Sequence, residues 1–220
     1  MRIVKNKGFT LSEVLVVLLI IGVVAAMTIP TLINELQYME YKQAWKKEYA
    51  AINNAFKLIL AENGGTLKYA CPLVSWVDDS IAIRQLFLDH LNVQKSCNNS
   101  TTGECWHTSP LPKNLNGTDQ LLNGSSYPSS ILNDGALLKF HAGRSDCSFS
   151  GLVYGYSFQN QCINIAVDVN GFKKPNVIGK DIFQVSVFAD KITPFGIVSD
   201  CKLFPPSDFG FGCATKYLFD

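Results

Sequence analysis

Hydrophobic positions fall into two regimes at the start of the chain. From Phe9 to Ile29 nearly every residue is apolar, and Glu13 is the single charge in the run. After Pro30 the spacing changes to threes and fours. Tyr38, Tyr41, Trp45, Tyr49, Ile52, Phe56 and Ile59 then share one face of a helix. Glu40, Lys46, Lys47, Asn54 and Lys57 take the other face. Asn63-Gly64-Gly65 is a stop signal, because glycine adopts the left-handed conformation that closes a helix without strain. The pattern predicts one helix from Phe9 to Glu62, about 80 Å long at 1.5 Å per residue. Its first half suffices to cross a bilayer, which takes about 20 apolar residues. Its second half lays an apolar stripe on a folded domain. Pro30 removes a backbone donor and crowds the preceding turn, so a kink or local unwinding is expected there.

The remainder reads as short elements. Asp78-Asp79-Ser80 resembles a helix cap and predicts a short amphipathic helix from Ile81 to Leu91. Val93 to Ser130 is rich in Asn, Ser, Thr, Gly and Pro and reads as a long irregular loop. Its Asn-x-Ser/Thr triplets, such as Asn116-Gly117-Thr118, are taken as loop composition with no glycan implied. Strand signals follow at Ala136 to His141, Gly151 to Phe158, Gln161 to Val169, Ile182 to Ala189 and Ile192 to Val198. Ile165, Val167 and Val169 alternate with Asn164, Ala166 and Asp168, the period of a strand with two different faces. The sum is an α+β protein: a long helix whose stripe packs on an antiparallel sheet.

Charge and composition narrow the function. Nineteen basic residues against 18 acidic ones leave a net charge of +1, which argues against nucleic acid as the main partner. The three histidines, His90, His107 and His141, are scattered, and no GxSxG, Walker loop, HExxH or paired-carboxylate motif occurs, so an enzyme is not indicated. All seven cysteines lie downstream of the apolar run, as suits a domain in an oxidising compartment. No CxxC pair and no zinc-type spacing is present. Connectivity is not fixed by sequence. Short loops close easily, and on that ground the expected bridges are Cys97–Cys105, Cys147–Cys162 and Cys201–Cys213. Cys71 is then unpaired, or replaces one of these partners.

Glu13 needs a partner, because a charged side chain at the centre of a membrane helix costs about 2.5–3.5 kcal/mol. If the chain is cut after Gly8, the new amine on Phe9 stands four residues away on the same helix face. Arg2, Lys5 and Lys7 precede Gly8-Phe9-Thr10-Leu11-Ser12-Glu13, and the apolar run follows in register. This segment resembles the N-terminus of type IV prepilins and type II secretion pseudopilins. The resemblance covers about the first quarter of the chain, and Pro30 also fits it. It implies cleavage between Gly8 and Phe9 by a prepilin peptidase, methylation of the Phe9 amine, and assembly through Glu13 and the helix around Pro30. It implies further partners in other pilin or pseudopilin subunits and an inner-membrane assembly platform.

On this reading residues 1–8 are a removed leader. Residues 9–30 are the transmembrane and assembly half of the helix, 31–63 its amphipathic half, and 66–220 a globular disulfide-bearing domain, together the lollipop of the pilins. The basic leader keeps its own end cytoplasmic, which places the domain outside a single-pass inner-membrane anchor. The Cys201–Cys213 loop, with Pro205-Pro206, resembles the disulfide-closed C-terminal loop of many pilins. The segment from Asp168 to Phe183 resembles a pseudopilin loop, and some pseudopilins hold calcium near it. Asp168, Asn170, Asn176 and Asp181 supply oxygen ligands of the kind calcium takes. The same residue types equally build turns held by Asx hydrogen bonds. The competing functional reading is a membrane-anchored binding protein or adhesin that never polymerises, with Ser96 to Ser130 as its contact surface.

Overall fold

A computed structural model describes residues 10–99, 103–119, 127–153, 156–198, 201 and 209–220. The chain forms two compact units, Met1–Glu40 and Tyr41–Asp220. Helix α1, Leu11–Glu62, runs through both. In the first unit its side chains are exposed from Leu11 to Glu40, with only Ala25 half-buried. Helical geometry continues through Pro30, so the expected unwinding does not occur. Proline deprives only the Ala26 carbonyl of its donor, and one missing bond in a long helix leaves the turns on either side intact.

In the second unit the aromatic stripe packs as its spacing predicts. Trp45, Ile52, Phe56 and Ile59 are buried, and Tyr41 and Tyr49 are half-buried. Trp45 stacks on Phe183 with ring centres 4.8 Å apart, and its indole Nε1–H donates to the Ala214 carbonyl at 2.9 Å. The helix ends at Glu62. Gly64 and Gly65 both take positive φ, and the Gly65 N–H donates to the Leu60 carbonyl at 2.7 Å.

Helix α2, Trp76–Leu88, begins earlier than Asp78-Asp79-Ser80 suggests. Its N-cap is Ser75, whose hydroxyl accepts from the Asp78 N–H at 3.2 Å. Asp79 and Ser80 instead stitch the helix to a neighbouring loop. The Asp79 carboxylate accepts from the N–H groups of Val74 (2.7 Å) and Ser145 (3.1 Å), and the Ser80 hydroxyl accepts from the Gly143 N–H at 2.9 Å. Both side chains are buried, so their polar atoms have to be satisfied within the protein.

Among the described residues seven antiparallel strands form one sheet: β1 Val93–Cys97, β2 Ser129–Leu132, β3 Leu137–His141, β4 Phe149–Val153, β5 Tyr156–Asp168, β6 Ile182–Phe188 and β7 Ile192–Pro194. The order is β1-β2-β3-β5-β6-β7, with β4 paired to the first half of β5. Strands β1 and β2 therefore occupy both ends of the stretch read as irregular loop. The strand signal from Gly151 to Phe158 covers the end of β4 and the start of β5, and the signal from Gln161 continues β5 beyond a residue of positive φ at Asn160. Helix α3, Cys213–Phe219, closes the chain.

The two sheet faces differ chemically. Leu138, Phe140, Ile163, Ile165, Val167, Phe183, Val185 and Val187 meet α1 and the α2 residues Ile83 and Phe87 in one apolar core. The reverse face is buried too, yet largely polar. Lys139, Asn164, Asp168, Gln184 and Ser186 are each at most 1% exposed, under a second cluster containing Trp106, Ile178, Phe195 and Phe211. Alternation along β5 had marked this face as polar; the segment around Trp106 removes it from water.

Candidate functional site

Gly8 and Phe9, the predicted cleavage pair, lie outside the described residues, as do Arg2, Lys5 and Lys7. The described part of the candidate site begins at Thr10. Its N–H donates to Glu13 Oε2 at 2.8 Å, and its hydroxyl donates to the same oxygen at 2.7 Å. The Glu13 N–H returns a bond to Thr10 Oγ1 at 3.3 Å. Thr10-x-x-Glu13 is thus a reciprocal capping box at the start of α1. The carboxylate sits where the helix dipole favours a negative charge and where backbone N–H groups lack helical partners. Thr-x-x-Glu was visible in the sequence as a capping signature. It gives Glu13 a second role beside its pairing with a Phe9 amine.

Beyond Glu13 the helix presents Val14 to Ile21 to its surroundings, every one of them exposed. It is long and apolar enough to cross a membrane. A continuous apolar surface of this extent needs a cover of lipid or of other apolar helices. Thr28 hides its hydroxyl by donating to the Val24 carbonyl at 3.0 Å, so this polar side chain presents no unmet donor to that cover.

A stem with one acidic residue in its first turn and no other charge before Glu35 is a specific arrangement. Residues 3–29 match the prokaryotic N-terminal methylation motif. The motif brackets Glu13 and the exposed apolar stem, and ends just before Pro30. It is the segment that a prepilin peptidase processes in type IV prepilins and pseudopilins. No curated protein and no solved structure matches the chain.

In the globular unit the three expected disulfides are present: Cys97–Cys105, Cys147–Cys162 and Cys201–Cys213. Cys71 is a free thiol. Burial, reinforced by the nearby Asp79 carboxylate, pushes it up to about 11, so it is protonated and unreactive at neutral pH. Residues 202–208 of the last loop, including Pro205-Pro206, lie outside the described residues.

The four candidate calcium ligands lie around one loop. Asp168 is fully buried; its Oδ2 meets His107 Nε2 at 2.7 Å and its Oδ1 accepts from the Asn170 N–H at 3.1 Å. Asp181 accepts from the N–H groups of Asn176 (2.8 Å) and Val177 (2.7 Å). Burial raises both carboxyls, Asp168 to about 7. Every carboxylate oxygen therefore already has a partner, and the ring nitrogen of His107 stands where a cation would have to approach. The oxygens without a hydrogen-bond donor are the amide Oδ1 atoms of Asn170 and Asn176. Two amide oxygens are a poor donor set for calcium, which draws much of its affinity from carboxylates. These bonds support the Asx-turn reading of the loop.

Proposed function

We propose that the chain is a prepilin-type structural subunit. A prepilin peptidase removes residues 1–8, the apolar half of α1 holds the subunit in the membrane, and subunits then assemble into a pilus or pseudopilus through that helix. The observation that carries this reading is Glu13, the single charge in an exposed apolar stem, placed in the first turn beside the new terminus that cleavage would create. Within one chain the carboxylate is held by Thr10. In a bundle of stems it also faces an α-amino group, and two opposite charges poorly solvated in lipid stabilise each other. The basic leader supports an orientation with the globular unit outside the cytoplasm, where its disulfides are stable.

Two substitutions test this together. Gly8→Ala should block processing, and both processing and fibres should then be absent. Glu13→Val should leave processing intact and abolish fibres. Glu13→Gln separates charge from capping, because glutamine serves equally well in the box. It should assemble as poorly as valine. Normal fibres from Glu13→Gln would refute the charge pairing. If Gly8→Ala changed neither mass nor location, the chain would be an anchored binding protein instead.

A further inference from the structure

We propose that a groove on the globular unit is a binding site for an uncharged oligosaccharide, with the Tyr69 ring as its stacking platform. This goes beyond the assembly role and does not rest on it. The groove has a volume of about 850 Å³, within the usual range for ligand sites. The segment Thr66–Tyr69, the loop Asp146–Ser148, the Gln159–Asn160 kink of β5 and the β6–β7 turn Phe188–Lys191 form its walls.

These walls are held in place before any ligand arrives. The Leu67 N–H donates to the Ala189 carbonyl and the Tyr69 N–H to the Ser145 carbonyl, both at 2.7 Å. The Cys147–Cys162 bridge pins the second wall, Asp146–Ser148, to β5. Among the described residues five non-glycine positions have positive φ, and three of them line this groove: Tyr69 at 63°, Cys147 at 52° and Asn160 at 57°. Left-handed backbone is costly for side chains of this kind, most of all for a bulky one, and such strain concentrates at functional sites. Its result at Tyr69 is a ring left 65% exposed on a fixed backbone.

The chemistry of the lining selects the ligand. Lys68 and Lys191 are balanced by Asp146 and Asp190, so the groove carries no net charge. Each lysine is engaged with an aromatic neighbour: Lys68 Nζ lies 5.2 Å from the Tyr69 ring centre and Lys191 Nζ 5.5 Å from that of Phe188. Hydrogen bonds from Ser148, with the Arg144 guanidinium 3.7 Å away, hold the Asp146 carboxyl below its ordinary value. A pyranose presents an apolar C–H face and a rim of hydroxyls. Tyr69 matches the face, and Asp146, Asp190, Gln159 and Asn160 supply acceptors and amide donors for the rim.

The test uses the full chain in lauryldimethylamine oxide micelles, which carry no sugar headgroup. Maltotetraose, cellotetraose and chitotetraose are titrated by calorimetry, with a single-stranded oligothymidylate as competitor. At least one tetrasaccharide should bind saturably. Tyr69→Ala should weaken it by about 10-fold, Tyr69→Trp should retain it, and about 0.5 M salt should leave it unchanged. If Tyr69→Ala lowers the melting temperature, Asp190→Ala, an exposed rim position, gives the same reading through a loss of about 10-fold. No binding of any of the three sugars at about 10 mM would overturn the proposal. So would binding indifferent to both variants. Salt-sensitive capture of the oligothymidylate at this groove would replace it with a nucleic-acid site.

Discussion

Lys139→Met should stabilise the globular unit at neutral pH and lose that advantage at alkaline pH. Lys139 lies on β3, on the reverse face of the sheet, and is 0% exposed. Its Nζ has no hydrogen-bond acceptor. Burial lowers it from an ordinary 10.5 to about 8. That difference, at 1.36 kcal/mol per pH unit, corresponds to about 3 kcal/mol of cost for holding the ammonium inside the fold. The Trp106 ring, with its centre 5.9 Å from Nζ, offsets roughly 1 kcal/mol through a cation–π contact. A net cost of about 2 kcal/mol remains. Methionine nearly matches the lysine stem in length and carries no charge, so it removes the cost without opening a large cavity.

The pH dependence has a definite sign. Below about pH 8 the lysine is charged whether folded or unfolded, and the folded state carries the full cost. Between about 8 and 10.5 the unfolded chain keeps its proton while the folded chain releases it, so wild-type stability rises with pH. Above 10.5 both states are neutral and the cost is gone. Urea unfolding followed by tryptophan fluorescence, with disulfides intact, should show a gain of about 2 kcal/mol for Lys139→Met at pH 7 and almost none at pH 10.5. Equal stability at pH 7 would refute the argument. A gain that persisted unchanged at pH 10.5 would assign the effect to packing and refute the electrostatic account.

Other expected outcomes follow from single contacts. Gly143→Ala places a methyl 2.5 Å from Ser80 Oγ and 2.6 Å from Ser80 Cα, both held in the α2 packing, and should lower stability by about 1–3 kcal/mol in a thermal melt. A melting temperature equal to wild type would show that α2 yields freely at this point. Alkylation of the unfolded, unreduced chain should add a single label, at Cys71, and reduction beforehand should raise the count to all seven cysteines. More than one label before reduction would contradict the three bridges. Calcium at millimolar concentration should leave the melting temperature within about 1 °C, since binding to the folded state alone would raise it. A clear rise would restore Asp168, Asn170, Asn176 and Asp181 as ligands.

What the sequence disclosed follows from the range of the interactions involved. The stripe from Tyr41 to Ile59 and the Gly64-Gly65 stop are local: one depends on helical period, the other on a φ that glycine takes freely. The disulfides close short loops, and chain proximity alone favoured the pairs found. The reverse face of the sheet depends on distant segments. Lys139, Asn164, Asp168 and Gln184 carry the polarity of a solvent face, and their burial comes from distant segments, among them those bearing Trp106, His107, Phe195 and Phe211. The signal from Gly151 to Phe158 merges parts of β4 and β5, because both are apolar and aromatic runs, and Asn160 interrupts the alternation of β5. Asp79 and Ser80 carry the composition of a cap, yet their oxygens serve Ser145 and Gly143, more than sixty residues away. Helix α3 has Gly212 at its N-cap with no side-chain bond, so no local start signal announced it.

The candidate assembly site shows the same division within one side chain. Thr10 gives Glu13 two hydrogen bonds, from its N–H and its hydroxyl, within the same chain. On the proposed function, an amine from a neighbour is the opposite charge that Thr10 cannot supply, and losing that pair is what stops assembly in Glu13→Val and Glu13→Gln. The pair also makes association selective: apolar stems pack with many neighbours, but only one that aligns a free α-amino group with Glu13 completes the contact. Register along the bundle would then be set by this pair at the end of the stem, while the exposed apolar surface from Val14 to Ile29 supplies most of the area.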